Sequence, residues 1–198
     1  MKIVDKKSET RQFFKARRIA LQQTEVINRS QKISENFIKN LLPNFLSKKP
    51  DAIFSLYLPT QNEVSTSLIA EHLKKNNISL SYPKIIQKNQ PLEFILDEGQ
   101  SLVPSIFFPK ILELSAGKKV IPDFIILPLT AFDSTLSRLG MGGGFFDRTI
   151  QSLKTQKSEI ITIGLAYDFQ RADEKLPTEI TDQKLDFVAT EQMIFSAS

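Results

Sequence analysis

Short apolar runs alternate along this chain with stretches whose apolar residues recur every three or four positions, and that alternation predicts a layered α/β protein. Ala52-Ile53-Phe54-Ser55-Leu56-Tyr57-Leu58, stopped by Pro59, is the pattern of a strand covered on both faces. A helical stretch over 64–75 leads from it to Ile78-Ser79-Leu80-Ser81-Tyr82-Pro83 and completes a β-α-β unit. Two more runs of the same type, Phe124–Leu127 and Ile160–Leu165, enclose a helix over 145–155. Repeated β-α alternation implies a mostly parallel sheet with helices on both faces, a Rossmann-like three-layer arrangement.

Ahead of the sheet, residues 5–22 read as a helix from the spacing of Phe13, Phe14, Ala16, Ile19, Ala20 and Leu21, with Lys7, Arg11, Lys15 and Arg18 sharing one face. A second helix carries Val26, Ile33, Phe37 and Leu41 at intervals of seven and four, with Thr24 as its candidate cap and Pro43 beyond its end. The two predict an N-terminal helical hairpin, residues 1–45, packed on the sheet of a single domain spanning 1–198. Residues 85–120, where Pro91, Pro104 and Pro109 flank Leu92–Leu96, predict one or two short strands and irregular connections, with nothing catalytic placed there.

Composition narrows the chemistry. With 198 residues, 41% of them hydrophobic, the chain suits one α/β domain with a sizeable core and is too short for two large ones. There is no cysteine and one histidine, His72, within Ser67-Leu68-Ile69-Ala70-Glu71-His72-Leu73, where it reads as a helix-surface or partly packed residue. Thiol catalysis, disulfides and a cysteine zinc site are thereby excluded, and a triad or multi-histidine metal site would rest on a single imidazole. No run of some 18 apolar residues occurs and the first ten residues lack a signal-peptide core, so a soluble, cytoplasmic protein is expected. The formal charge is +4, unevenly spread: residues 1–50 hold twelve Lys/Arg against four Asp/Glu, net +8, which leaves fourteen against eighteen, net −4, in the remainder. A basic N-terminal segment on a slightly acidic body suggests an anionic partner.

Four of the seven glycines fall within Gly140–Gly144, in the run Arg138-Leu139-Gly140-Met141-Gly142-Gly143-Gly144-Phe145-Phe146-Asp147-Arg148. A glycine cluster between strand and helix costs chain entropy, and it makes sense where backbone N–H groups must close on a phosphate or a flat ring. Arg138 can pair with an anionic oxygen, and Asp147 can hold a hard divalent cation. The run is not a Walker A loop, because no Gly-Lys-Ser/Thr follows, and it lacks the third glycine of a dinucleotide fingerprint. Its bland alternative is a long surface turn. In an open α/β sheet ligands bind beyond the carboxyl ends of the strands, so Leu58–Glu63, Pro128–Asp147 and Tyr167–Gln170 are expected to converge on one cleft. Taken bare, Lys7 and Arg11 are either a solvated basic face or a phosphate clamp one helical turn apart. Glu63 is either a helix-start charge or a ligand contact, and Asp147 either a helix-start charge or a metal carboxylate.

The stretch Asp123-Phe124-Ile125-Ile126-Leu127-Pro128-Leu129-Thr130-Ala131-Phe132-Asp133, followed by the glycine run, resembles the 5-formyltetrahydrofolate cyclo-ligase family, also called methenyltetrahydrofolate synthetase. The resemblance extends over nearly the whole chain. Lys7 and Arg11 match its Lys-x-x-x-Arg. Tyr57-Leu58-Pro59 through Glu63-Val64-Ser65-Thr66 matches its second motif, and Ile163–Gln170, Leu176-Pro177, Asp182 and Leu185-Asp186 follow its third.

That resemblance implies an ATP- and Mg2+-dependent ring closure of 5-formyltetrahydrofolate to 5,10-methenyltetrahydrofolate, with ADP and phosphate released by way of a phosphorylated formyl intermediate. It assigns catalytic roles to Arg138 and Lys7 and ATP contacts to Lys7, Arg11, Arg138, Leu139, Gly140, Met141, Gly142, Gly143, Gly144, Phe145 and Phe146. Folate contacts fall on Leu58, Glu63, Met141 and Phe145, and magnesium on Asp147 and Asp182. The implied partners are these two small molecules, with no nucleic acid and no membrane, acting on a monomer. The chain departs from the family's usual pattern at Phe145 and Phe146, where relatives commonly carry tyrosines, at Met141, and at Thr181 before Asp182, where histidine is common. Two other readings compete: a nucleic-acid-binding domain using the basic N-terminal helices, and a sugar-phosphate isomerase or acyl-transferase on a similar sheet.

Overall fold

The computed structural model describes residues 3–157 and 159–197. The chain begins with α1 (Ile3–Ile19), α2 (Gln23–Asn40) and a short α3 (Leu42–Lys48), then enters the sheet through β1 (Ile53–Ser55), α4 (Ser67–Lys75) and β2 (Ser79–Lys84). β3 (Glu93–Leu96), β4 (Leu102–Pro104), β5 (Leu112–Leu114) and β6 (Lys119–Val120) follow. The second half runs β7 (Phe124–Pro128), β8 (Ala131–Phe132), β9 (Arg138–Leu139), α5 (Phe145–Gln156), β10 (Ile161–Leu165), β11 (Phe187–Ala189) and β12 (Ile194–Ser196).

The main sheet has the order β12-β11-β10-β7-β1-β2-β3-β6. Its centre, β11-β10-β7-β1-β2, is parallel throughout, and antiparallel strands close both edges. Alternation along β7 makes the three layers. Phe124 and Ile126 enter one core with Phe37, Phe45, Ile69 and Leu73 of α2, α3 and α4. Ile125 and Leu127 enter the other with Ile150 and Leu153 of α5. From β1 the chain crosses to β2 on one side, and from β7 to β10 on the other. The strand order therefore reverses between the neighbours β1 and β7, and a crevice opens there beyond the strand ends.

The elements read from the apolar pattern are all present, including the β-α-β unit of β1, α4 and β2. Four local expectations are revised. The second helix is capped by Gln22, whose N–H donates to Glu25 Oε2 at 3.2 Å, so Thr24 lies inside the first turn. Pro43 starts another helix, α3, as a proline in the first turn needs no N–H. The segment 85–120 holds four strands, two of which pair as the separate ribbon β4–β5.

The fourth revision concerns α1. Of the apolar residues whose spacing marks this helix, Phe13 and Ile19 are 58% and 51% exposed, and the basic face is not simply solvated, since the buried residues are Lys7, Phe14 and Arg18. The helix lies over the carboxyl end of the sheet, where its neighbours are strand-end carbonyls and carboxylates. Phe14 alone joins an apolar cluster there, with Ala131, Leu139 and Leu176. Among the described residues no helix is long and apolar enough to cross a membrane.

Candidate active site

A cavity of about 540 Å³ occupies the crevice beyond β1 and β7. The segment after β1 supplies Tyr57, Leu58, Thr60 and Glu63, and α1 supplies Lys7 and Arg11. The segment after β7 supplies every residue from Arg138 to Arg148, while Glu179, Thr181 and Asp182 approach from the last long loop. All positions to which the family resemblance assigns a role thus meet in one pocket. Of the three strand-end segments expected to converge, Tyr167–Gln170 does not line it. Tyr167 is buried, its OH donates to the Asn62 carbonyl at 3.1 Å, and Gln170 Nε2 donates to the carbonyls of Leu129 and Thr130. That segment buttresses the two loops that do line the pocket.

The glycine loop does not follow β7 directly. The chain first makes the hairpin β8–β9, which puts Arg138 at the pocket floor with its side chain 4% exposed. Gly142 and Gly144 have φ of +97° and +63°, values that favour glycine, and Gly144 is the residue from which α5 starts. No side chain caps that start, so its first-turn N–H groups and the positive end of the helix dipole could receive an anion. Arg11 Nε donates to the Gly140 carbonyl at 3.0 Å and Arg148 Nη2 to the Gly143 carbonyl at 2.7 Å, so the loop is held at both ends.

Carboxylates answer the cations. Lys7 Nζ meets Asp182 Oδ2 at 2.6 Å and Glu179 Oε2 at 2.9 Å. Arg138 Nη1 donates to Asp147 Oδ1 at 2.8 Å and to the Gln183 carbonyl at 2.6 Å, and the Gln183 N–H returns to the same Asp147 oxygen at 3.0 Å. Burial alone would lower the Lys7 pKa, but hydrogen bonds and charge from Asp182 and Glu179 outweigh it and hold the ammonium above its ordinary value. Among the described residues no three His, Cys, Asp or Glu side chains gather as a metal cage. Asp147 and Asp182 both line the cavity with the glycine loop, and two carboxylates of this kind could hold magnesium where substrate phosphates complete its shell.

Glu63 reaches the same cavity from the segment after β1. Its Oε2 accepts the Thr60 N–H at 2.9 Å, and its Oε1 lies 3.7 Å from Arg18 Nη1. Burial pushes its pKa up, against the lowering effect of the Thr60 N–H and the Arg18 charge. Arg18, 1% exposed, also donates to the Leu129 carbonyl at 3.1 Å. The inward face of α1 is therefore spent on the pocket and its supports, which removes Lys7 and Arg18 from any solvent-facing basic surface.

Several lining residues escaped the sequence pattern. Ile85, Leu92, Ile111 and Leu112 form an apolar wall from the segment 85–120, with Glu113 beside them. Glu113 Oε1 accepts the Ile85 N–H at 2.9 Å and pins the β4–β5 ribbon to the end of β2. No local signal marks these residues, because the pocket is completed by packing between separate elements. Glu179 and Arg148 were nearer to hand, three residues before Asp182 and one after Asp147.

A family model described as the 5-formyltetrahydrofolate cyclo-ligase family matches residues 3–191. A 5-formyltetrahydrofolate cyclo-ligase of Mycoplasma pneumoniae is 31% identical over 158 residues, covering 79% of this chain and 82% of its own. That of Mycoplasma genitalium is 28% identical over 187 residues, 94% and 98% of the two chains. The NMR structure of Aquifex aeolicus 5,10-methenyltetrahydrofolate synthetase superposes with a TM-score of 0.78 at 28% identity, over 96% of this chain and 92% of its own. A second 5,10-methenyltetrahydrofolate synthetase structure, from Mycoplasma pneumoniae, gives 0.70 at 29% identity, over 93% and 98%.

Proposed function

The chain belongs to the 5-formyltetrahydrofolate cyclo-ligase family, and from that premise and the chemistry of its pocket we propose that it converts 5-formyltetrahydrofolate to 5,10-methenyltetrahydrofolate, consuming ATP with magnesium and releasing ADP and phosphate. The formyl oxygen attacks the γ-phosphorus, forming an O–P bond as the bond to ADP breaks. Nitrogen ten of the folate then attacks the activated formyl carbon and gives up its proton, which leaves with the phosphate or to water, and the C–O bond breaks as phosphate departs with that oxygen.

The observation that carries this reading is the meeting, in one cavity, of a glycine loop at a helix start, four cations and the carboxylates Asp147 and Asp182. Phosphoryl transfer demands charge neutralisation and in-line placement more than a protein nucleophile, which suits a chain without cysteine and with one histidine. Lys7, Arg11 and Arg138 would neutralise phosphate oxygens, Arg138 and Lys7 most directly at the transferred group. The loop Leu139–Phe146 would seat the triphosphate. Asp147 and Asp182 would hold magnesium, which supplies charge screening between the phosphates. Leu58 and Glu63 line the same cavity, where Glu63 would orient the pterin and Leu58, with Met141 and Phe145, would pack on it. The apolar wall from Ile85 to Leu112 helps keep water from the reactive intermediate.

A spectrophotometric assay tests the reading. Absorbance of the methenyl product should rise with 5-formyltetrahydrofolate only when MgATP is present, with one ADP formed per product. ATP hydrolysis independent of the folate, or product formed without ATP, would overturn it.

A further inference from the structure

The four cations of the pocket differ in how they are satisfied. Lys7 and Arg138 are paired with carboxylates. Arg11 and Arg148 form no ion pair with any described residue; each is held by a neutral glycine carbonyl, at opposite ends of the loop. Arg148 is the less satisfied of the two. Its Nε is buried without a hydrogen-bond partner. Its guanidinium carbon lies 5.3 Å from the centroid of the Phe145 ring, which also meets the ring of Phe108 nearly perpendicularly at 5.8 Å.

The position of this guanidinium is electrostatically unfavourable unless something anionic joins it. Arg148 lies in the first turns of α5 but curls back to the helix start: a Cβ built on Gly144 would come within 2.7 Å of Arg148 Nη1. The start of a helix carries the positive end of its dipole, where a carboxylate such as Asp147 is favoured and a cation is repelled. A planar fork with several donors, stacked on an aromatic ring and left with one neutral acceptor, is preorganised for a bidentate anionic oxygen pair. Left-handed glycines and uncapped N–H groups beside it favour a tetrahedral anion with several oxygens over a lone carboxylate.

We propose that Arg148 is a nucleotide-phosphate ligand, completing with Arg11 a guanidinium pair that brackets the glycine loop. The proposal rests on the reading of the pocket as an ATP site. It adds a contact outside the residues to which the family resemblance assigns a role. The φ of +63° at position 144 favours glycine, and a side chain there would also push the Arg148 guanidinium from this place.

Calorimetric titration of wild type, Arg148→Gln and Arg148→Lys with ADP and with adenosine tests it, alongside the Michaelis constants. Loss of one charge-assisted contact should weaken ADP binding and raise the KM for ATP by about tenfold or more in Arg148→Gln. Adenosine binding and the folate KM should stay within about twofold, a factor well below one such contact. Arg148→Lys should fall between, since it keeps charge but not the fork. Equal losses for ADP and adenosine would reduce Arg148 to a brace for the loop, and a rise confined to the folate KM would move its anion to the folate. Either result, or unchanged ADP binding, overturns the proposal. Wild-type protein that binds ADP but forms no methenyl product would defeat the proposed activity and leave this contact standing.

Discussion

Lys7 Nζ lies 2.6 Å from Asp182 Oδ2, so a lysine near the start of the first helix closes the pocket against a carboxylate 175 positions away. The ammonium is almost wholly buried and is also held by Glu179. Removing one partner of such a cluster leaves the other charge partly desolvated and costs more than the pair itself contributes.

The Lys7 pKa is raised in the folded protein, because hydrogen bonds and charge from Asp182 and Glu179 exceed the opposing effect of burial. A raised folded value means that the stabilisation is fully present below the ordinary lysine value of 10.5 and is lost as pH climbs through the folded one. In thermal melts taken from neutral to strongly alkaline pH, wild type should therefore lose melting temperature more steeply at the alkaline end than Lys7→Met, which starts lower. Parallel curves would show that Lys7 is not the titrating group.

Arg138→Ala should lower turnover by two to three powers of ten, as removing one preorganised charge contact to a transition state commonly costs about 3–4 kcal/mol. The structure adds a stability effect, since Asp147 and the Gln183 carbonyl lose their shared donor. A drop of about 1–3 kcal/mol in unfolding free energy, with an unchanged circular dichroism spectrum, is the expected companion. Wild-type turnover in this variant would remove Arg138 from the reaction.

Phe145 meets the Phe108 ring nearly perpendicularly and carries the Arg148 guanidinium over its ring, contacts that need no hydroxyl. Phe145→Tyr should change turnover by less than about tenfold, equivalent to 1.4 kcal/mol. Phe145→Leu should do worse. A hundredfold gain in Phe145→Tyr would show that a phenol at this position takes part in the reaction.

The small-molecule and nucleic-acid readings make opposite predictions for α1. Lys7→Ala/Arg11→Ala should raise the KM for ATP more than about tenfold, since hydrogen bonds to charged groups contribute about 1.5–3 kcal/mol each, and the folate KM only weakly. Lys32, exposed on α2, should be neutral to charge removal. Polynucleotide binding that falls equally at all three positions, with the KM for ATP unchanged, would favour the diffuse basic face instead. Lys2, a natural further control, lies outside the described residues.

Local pattern carried the frame of this molecule. The apolar runs at 52–58, 124–127 and 160–165 could only be strands covered on both faces, and with the helices between them they set the sheet, its parallel centre and the end at which ligands sit. The glycine run announced its backbone chemistry in the same local way, because φ > 0 and close approach are properties of single residues. Everything that depends on separated positions was left to the tertiary structure. α1 shows it most plainly: its apolar spacing marks a helix without saying which face is buried, and Lys7 and Arg18 are buried because the surface it meets presents the carboxylates Asp182 and Glu63 and the Leu129 carbonyl. The apolar wall from 85–120 and the place of Glu179 are of the same kind. Arg148 is its sharpest case. Its neighbours in sequence say only that a cation follows Asp147, whereas the fold turns that cation back onto the start of its own helix and stacks it on Phe145 with one nitrogen unsatisfied. Pattern along a chain reports what each segment buries, and only packing decides which charge faces which.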